Sequence, residues 1–469
     1  MTPIKTEPIL FGTDGWRGLI ARDFTFANVR RVADALARAL PSKSRVVIGH
    51  DHRFLSEEFA RTAAGVLAAR GHRVLLGQGP TTSPALSFAL KGAGARAGVM
   101  ITASHNPPAY NGFKIKLPPG RSADPLFTTK VETLVEPETP RPPSVELEQR
   151  DLAKPYLAHL LSRLDRAFWK KARSTRVVFD AMHGTGGVLW AAAGAALGLG
   201  GEAVRVERDP LFGGVSPEPI ERHLAALSGA VRAQKAVLGV AVDGDGDRLG
   251  AVDEKGVYLP PHAVFPLILR HLVENRKLKG AVVQAVSLGY LSERLAKEYK
   301  LPFVEVPVGF KYVADQMAKI RVLWGGEESG GYGVGLWGPE RDGVLTGLLL
   351  VEAVLAAGKP LSVLRKELTD KLGASEFSRV DHPLKAPVVD KAAWVATVTK
   401  RIPAKVGGVA VKETRNTDGL KVVLTDGSWV LLRPSGTEPL LRAYAESPTA
   451  ALTQQLLTKA QEWAGAKNI

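Results

Sequence analysis

A chain of 469 residues is longer than one hydrophobic core usually serves, so several domains are expected. Apolar residues make up 45% of it and charged residues 23%, a globular profile that excludes a disordered chain. There is no cysteine, which excludes disulfides, thiolate metal sites and cysteine nucleophiles, and the formal charge of +15 favours anionic partners.

No zinc-finger spacing, RNP-type aromatic pattern or dense Lys/Arg block accompanies that charge, so phosphorylated metabolites are the expected partners and specific nucleic-acid binding is not. The N-terminal stretch MTPIKTEPILFGTDGWRG lacks a continuous apolar run, and LTGLLLVEAVLAA (345–357) is interrupted by Glu352 and too short to span a bilayer. A cytoplasmic chain with no membrane segment is expected.

In chain order, RVVIGHD (45–51) reads as a strand, FARTAAGVLAARG (59–71) as a helix closed by Gly71, and HRVLLG (72–77) as a returning strand. This is the rhythm of a mainly parallel sheet covered by helices. RVVFDAMHG (176–184) and GAVVQAVSLG (280–289) restart the pattern. Breaks fall at PETPRPPSVELEQR (137–150), DEKGVYLPPH (253–262) and GASEFSRVDHP (373–383), after which hairpin strands joined by Asp-Gly turns precede a final helix over 448–465. The last domain therefore reads as a smaller α+β unit.

Four stretches carry chemistry. AGVMITA (97–103) is strand-like and leads to Ser104, which Pro107 and Pro108 hold on a loop at a strand's end, where α/β proteins place ligands. In an extended loop His105 points away from Ser104, which argues against a simple serine–histidine pair. LGVAVDGDGDRLGAVD (238–253) spaces Asp243, Asp245 and Asp247 two residues apart. Carboxylates so close repel by roughly 1 to 4 kcal/mol a pair, and a cation removes that cost; an all-oxygen set suits Mg²⁺. Glu254 stands twelfth from Asp243, as in a calcium loop, but Arg248 occupies the position where that loop needs glycine and strands flank the site. LLRPSGTEPLLR (431–442) offers Arg433, Ser435, Gly436 and Thr437 as an anion cradle, and WGGEESGGYG (324–333) offers Glu327, Glu328 and Ser329 for sugar hydroxyls. Taken alone, either is equally an ordinary turn.

Together, TASHNPPAYNGFK, DGDGDR, GEESGG and RPSGTEP, with FGTDGWRG (11–18) and VGFKYV (308–313), resemble the α-D-phosphohexomutases from Phe11 to about Arg442. The resemblance implies three related mixed-sheet α/β domains and a smaller C-terminal α+β domain around a central cleft: a phosphoserine-bearing domain at 1–145, a metal-binding domain at 150–255, a sugar-binding domain at 256–372 and a phosphate-binding domain at 378–469. It implies Ser104 as the phosphoserine, Mg²⁺ held by Asp243, Asp245, Asp247 and a Ser104 phosphate oxygen, and a hexose 1,6-bisphosphate intermediate between hexose 1- and 6-phosphates. Arg17, Lys114 and Arg248 would surround the transferred group. Arg433, Ser435, Gly436 and Thr437 would grip the other phosphate, and Glu327 and Ser329 would read the sugar.

Lys114, Lys311 and His105 are the acid–base candidates, a buried lysine among cations having a lowered pKa; a plain phosphate contact is the alternative for each. Gly331 stands where some phosphomannomutase/phosphoglucomutase members carry histidine, and Glu328 where phosphoglucosamine mutases typically carry Gln. Glucose phosphate is thus the expected substrate and mannose phosphate the next. Phosphoglucosamine mutation, or a silent sugar-phosphate-binding protein on the same scaffold, is the alternative. A monomer or weak homodimer is expected.

Overall fold

The computed structural model describes residues 8–142, 145–173, 175–435 and 439–465. The chain divides into two compact units, one comprising the residues up to Pro260 with 317–319 and 329–362, the other 261–316, 320–328 and the residues from Val363 onward.

In the first unit, apolar runs such as Val46–Val47–Ile48 form the inner strands of a mixed sheet. Its order is Trp16–Leu19, Tyr110–Leu117, Ala97–Ile101, Arg45–His50, Arg73–Gly77, Glu148–Arg150. The strands Ala97–Ile101, Arg45–His50 and Arg73–Gly77 run parallel, while Tyr110–Leu117 lies antiparallel to Ala97–Ile101. Helices Phe26–Ala39 and Ser83–Ala93 start where Thr25 and Thr82 accept a hydrogen bond from the first turn. The helix expected over 59–71 begins three residues earlier, at Ser56, because the Ser56 hydroxyl is anchored on Asp51 and Leu55 turns the chain into it with a φ of 58°. It ends at Ala69, and Gly71 follows in the left-handed region at φ 82°. Trp16 stacks on Phe24 and Phe59 meets Phe24 edge-on, in the core beside Val29, Val32, Ile48 and Val99. Each such side chain contributes about 1.5 to 3 kcal/mol on burial.

A second sheet of this unit runs Tyr258–Leu259, Leu249–Asp253, Leu238–Val242, Val177–Asp180, Ala203–Val204. Leu238–Val242 is parallel to Val177–Asp180 and antiparallel to Leu249–Asp253, so residues 243–248 form the connection between adjacent strands. Helix Gly343–Ala357, apolar nearly all round, packs on these strands. Its buried Glu352 accepts hydrogen bonds from Asp165 N (2.8 Å) and Trp169 Nε1 (2.6 Å), which explains a carboxylate in an apolar run. Among the described residues no single helix is long and apolar enough to cross a membrane.

In the second unit, Phe303–Val306, Ala281–Ala285 and Val322–Gly326 form parallel pairs, and Trp324 Nε1 donates to Phe265 O at 3.1 Å beneath them. The C-terminal sheet is antiparallel and ordered Glu376–Pro383, Leu440–Ser447, Trp429–Pro434, Leu420–Leu424, Val409–Arg415, Lys405–Val406. At its central hairpin Asp426 accepts from Ser428 N (2.8 Å) and Gly427 takes φ 90°, the Asp-Gly chemistry such a turn needs. Helix Ala450–Ala464 covers Val422, Val430, Leu432 and Leu441. The expected class holds: α/β layers followed by a smaller antiparallel α+β domain.

Candidate active site

Ser104 follows the buried strand Ala97–Ile101 and is itself fully buried. Its backbone lies in the left-handed region at φ 54°, which costs a non-glycine residue about 1 to 2 kcal/mol. Local bonds hold it there: Ser104 N donates to Thr102 Oγ1 (2.9 Å), and Asn106 N donates to Ala103 O (3.0 Å). The loop is therefore a tight turn and not the extended segment that would direct His105 away. Nδ1 of His105 comes within 3.4 Å of Ser104 Oγ. Burial, then Arg248, Arg17 and Lys114, hold that imidazole well below its ordinary pKa, so it is neutral at pH 7.

The Ser104 hydroxyl donates to Asp243 Oδ2 at 2.7 Å. Asp243, Asp245 and Asp247 are all buried, with one oxygen from each within 4.8 Å of the others. The turn closes because Asp243 Oδ1 accepts from Asp247 N (2.9 Å) and Arg248 N (3.1 Å), while Gly246 adopts φ 73°. Burial, then Asp247 and Asp245, push the Asp243 carboxyl well above the usual range. Asp245 Oδ1 and Asp247 Oδ1 are buried acceptors without a hydrogen-bond partner. Converging carboxylates with orphaned oxygens fit a hard divalent cation such as Mg²⁺. Glu254 instead accepts from Ser362 N at 3.2 Å, so it does not complete a calcium loop with the triad.

The cations around this centre are themselves paired. Lys114 Nζ lies 2.8 Å from Asp14 and from Asp245, and 3.4 Å from Asp247. Burial disfavours its charge, but Asp14, Asp245 and Asp247 outweigh burial and raise its pKa above the ordinary lysine range. This corrects the expectation of a lysine poised low among cations: its nearest neighbours are carboxylates. Arg341 bridges Asp14 (2.7 Å) and Asp247 (2.9 Å), Arg17 donates to Asn106 Oδ1 (2.6 Å), and Arg248 stands 4.0 Å from Glu218. Behind them Lys116 is ion-paired with Glu340.

Sequence reasoning assigned no role to Asp14, Lys116, Glu340, Arg341 or Arg53. Asp14 did lie inside the quoted FGTDGWRG stretch, and the polar loop after Arg45–His50 contains Arg53. Ser329 also belongs to this first unit. The following residues return to the triad's sheet, with Gly331 bridging Arg248 and Gly330 O accepting from Leu249 N at 2.9 Å.

The remaining expected residues belong to the second unit. Arg433, on strand Trp429–Pro434, donates through Nε to Asp418 Oδ2 at 2.6 Å, and the same oxygen accepts from Val308 N at 3.0 Å. Ser435 is held by backbone bonds from its N to Leu440 O (2.8 Å) and from Val388 N to its O (3.2 Å). Glu327 is buried, and the neighbouring Glu328 accepts a hydrogen bond from Ser287 Oγ. Lys311, at the start of helix Phe310–Lys319, places its ammonium 5.0 Å from the centre of the Tyr312 ring. Gly436 and Thr437 lie outside the described residues.

Four models describing phosphoglucomutase/phosphomannomutase domains match in order: alpha/beta/alpha domain I at 8–141, domain II at 154–256, domain III at 260–372 and the C-terminal domain at 384–461. The chain belongs to the phosphoglucomutase/phosphomannomutase family. As a phosphohexomutase it is an isomerase. A "Probable phosphoglucosamine mutase" of Pyrococcus abyssi is 31% identical over 458 residues, covering 96% of this chain and 97% of that one. A "Phosphoglucomutase/phosphomannomutase" of Thermococcus kodakarensis is 31% identical over 460 residues, covering 96% of each. Among solved structures, a "putative phosphomannomutase" of Thermus thermophilus superposes with a TM-score of 0.86 at 35% identity, covering 98% of this phosphohexomutase and 100% of the other chain.

Proposed function

We propose that this phosphohexomutase interconverts hexose 1-phosphate and hexose 6-phosphate, with glucose as the first substrate and mannose the second, through a phosphoserine at Ser104 and a hexose 1,6-bisphosphate. The observation that carries this reading is the 2.7 Å hydrogen bond from Ser104 Oγ to Asp243, inside a carboxylate triad with two orphaned oxygens.

Asp243, Asp245 and Asp247 would hold Mg²⁺, which when bound supplies Lewis-acid stabilisation of the Ser104 phosphate oxygens. In the first half-reaction the bond from phosphorus to Ser104 Oγ breaks as a bond to a sugar hydroxyl oxygen forms, and the hydroxyl proton leaves to a base. Ser104 Oγ takes up a proton as it leaves. In the second half-reaction, after the bisphosphate reorients, the bond from the opposite phosphorus to its sugar oxygen breaks as a bond to Ser104 Oγ forms, the Ser104 hydroxyl giving up its proton and the sugar oxygen taking one. Lys114, together with the guanidinium groups of Arg17 and Arg248, would offset the charge spread over the transferred phosphoryl oxygens. Lys114, held charged by its carboxylates, is suited to electrostatic work and not to accepting the proton. His105, whose Nδ1 lies 3.4 Å from Ser104 Oγ, and Lys311 on the sugar side are the remaining candidates for the base. Arg433 and Ser435, with Gly436 and Thr437, would grip the non-reacting phosphate, and Glu327 and Ser329 the sugar hydroxyls, so that remote binding orients the reacting end.

A second reading, phosphoglucosamine mutation, is favoured by relatives such as the "Probable phosphoglucosamine mutase" of P. abyssi. Against it stands Glu328, the departure noted in the sugar loop. A coupled assay with glucose 1-phosphate, mannose 1-phosphate and glucosamine 1-phosphate side by side, with and without Mg²⁺, decides between them by kcat/KM. Mass spectrometry after incubation with glucose 1,6-bisphosphate tests the mechanism: Ser104 is expected to carry one phosphate. An unphosphorylated Ser104 together with no turnover of any sugar phosphate would leave a binding protein on the same scaffold.

A further inference from the structure

Arg53 is fully buried, yet no part of the carboxylate centre uses it. Its guanidinium donates to four main-chain carbonyls of the Ser104 turn. Nη2 reaches Ser104 O (2.7 Å) and Asn106 O (2.6 Å), and Nη1 reaches Pro107 O (2.8 Å) and Tyr110 O (2.9 Å). Nε faces Asp51 Oδ2 at 3.2 Å. Asp51 in turn accepts from Arg53 N (2.9 Å), Ser56 Oγ (2.7 Å) and Thr102 Oγ1 (2.6 Å), and Thr102 Oγ1 is the acceptor for Ser104 N. One planar cation thus gathers the carbonyls on both sides of the two prolines, while its counter-ion holds the residue that fixes the Ser104 amide. The Phe212 ring lies 5.0 Å from the guanidinium carbon, and a side chain at Gly244 would stand 2.7 Å from Ser104 O, so the Asp triad's loop is seated against the same carbonyl.

We infer that Arg53, with Asp51 and Thr102, is the positioning residue of phosphoryl transfer: it locks Ser104 in its left-handed conformation so that the hydroxyl faces Asp243. The inference rests on Ser104 being the phosphoryl carrier. Arg53 touches neither Ser104 Oγ nor any side-chain oxygen of the triad, so its effect is transmitted through the turn's backbone. Lysine cannot replace it, because three hydrogens on one nitrogen do not span the four carbonyls that a planar fork reaches.

The test compares native protein with Arg53→Lys in single-turnover phosphorylation of Ser104 by glucose 1,6-bisphosphate, and in steady-state assay. The variant is expected to phosphorylate Ser104 and to turn over about 10²-fold more slowly, with KM changed less than about threefold, as for a reacting group displaced by about 1 Å. Native rates in Arg53→Lys, or a loss confined to KM, would overturn the positioning role. If Arg53→Lys does not fold, Thr102→Val carries the same test, since it keeps the shape and removes the Ser104 N acceptor. Absence of phosphate on native Ser104 is a separate outcome, which strikes the carrier assignment itself and this inference with it.

Discussion

Lys114 Nζ and Asp245 Oδ2 stand 2.8 Å apart with both side chains buried. The same ammonium reaches Asp14 and Asp247, making it a counter-charge shared by three carboxylates. Removing one partner of a buried ionic cluster leaves the others uncompensated, typically at about 3 to 5 kcal/mol. Lys114→Met is therefore expected to lose stability of that order in EDTA and to recover part of it in Mg²⁺, measured by urea denaturation under both conditions. Native stability in EDTA would remove Lys114 from that role.

Asp243→Asn keeps the shape of the Ser104 partner and removes its charge. Since Asp243 belongs both to the Ser104 hydrogen bond and to the triad, kcat is expected to fall at least about 10²-fold. The Mg²⁺ concentration giving half-maximal rate should rise. A Mg²⁺ titration of kcat reads both, and an unchanged midpoint would detach Asp243 from the cation.

Asp342 caps helix Gly343–Ala357 through Leu345 N and accepts the Tyr156 hydroxyl. Burial pushes its carboxyl from an ordinary 3.8 up to about 6, with the Tyr156 and backbone hydrogen bonds opposing. The folded state thus keeps a proton that the unfolded chain releases. Its contribution to stability is complete below about pH 4 and is lost as pH rises through about 6, a total of about 3 kcal/mol. Asp342→Asn retains a capping side chain and should flatten this part of the stability profile between pH 4 and 6, followed by thermal denaturation. A profile parallel to native would assign the titration to another group.

Arg433 is held by Asp418, which also accepts from Val308 N. If Arg433 grips the phosphate that does not react, Arg433→Ala should raise KM at least about tenfold and lower kcat less. That is the loss expected for one charged hydrogen-bonded contact. Steady-state kinetics with glucose 1-phosphate provide the check, and native KM values would refute its place in the phosphate grip.

Much of the architecture could be read from short-range patterns. The apolar run before Ser104 is a buried strand, Asp243 to Asp247 lie between two strands, and the Asp-Gly turns of the C-terminal sheet are where their chemistry puts them. Other features escaped. The start of the helix at Ser56 depends on an anchor to Asp51, and the approach of His105 to Ser104 depends on a φ of 54° that no residue type at that position announces.

Residue order by itself determined which groups are available: a serine ending a strand, alternating aspartates in a turn, an arginine near the end of a later strand, and no thiol. Backbone propensity and hydrophobic periodicity act over a few residues, so these survive reading one segment at a time. Tertiary structure alone decided their electrical state and aim. Ser104 meets an acceptor 139 positions away, Lys114 meets two of its three carboxylates 131 and 133 positions away, and Arg53 gathers carbonyls from 51 to 57 positions away. Coulomb and hydrogen-bond energies depend on separation in space and on exclusion of water, and neither quantity is written along the chain.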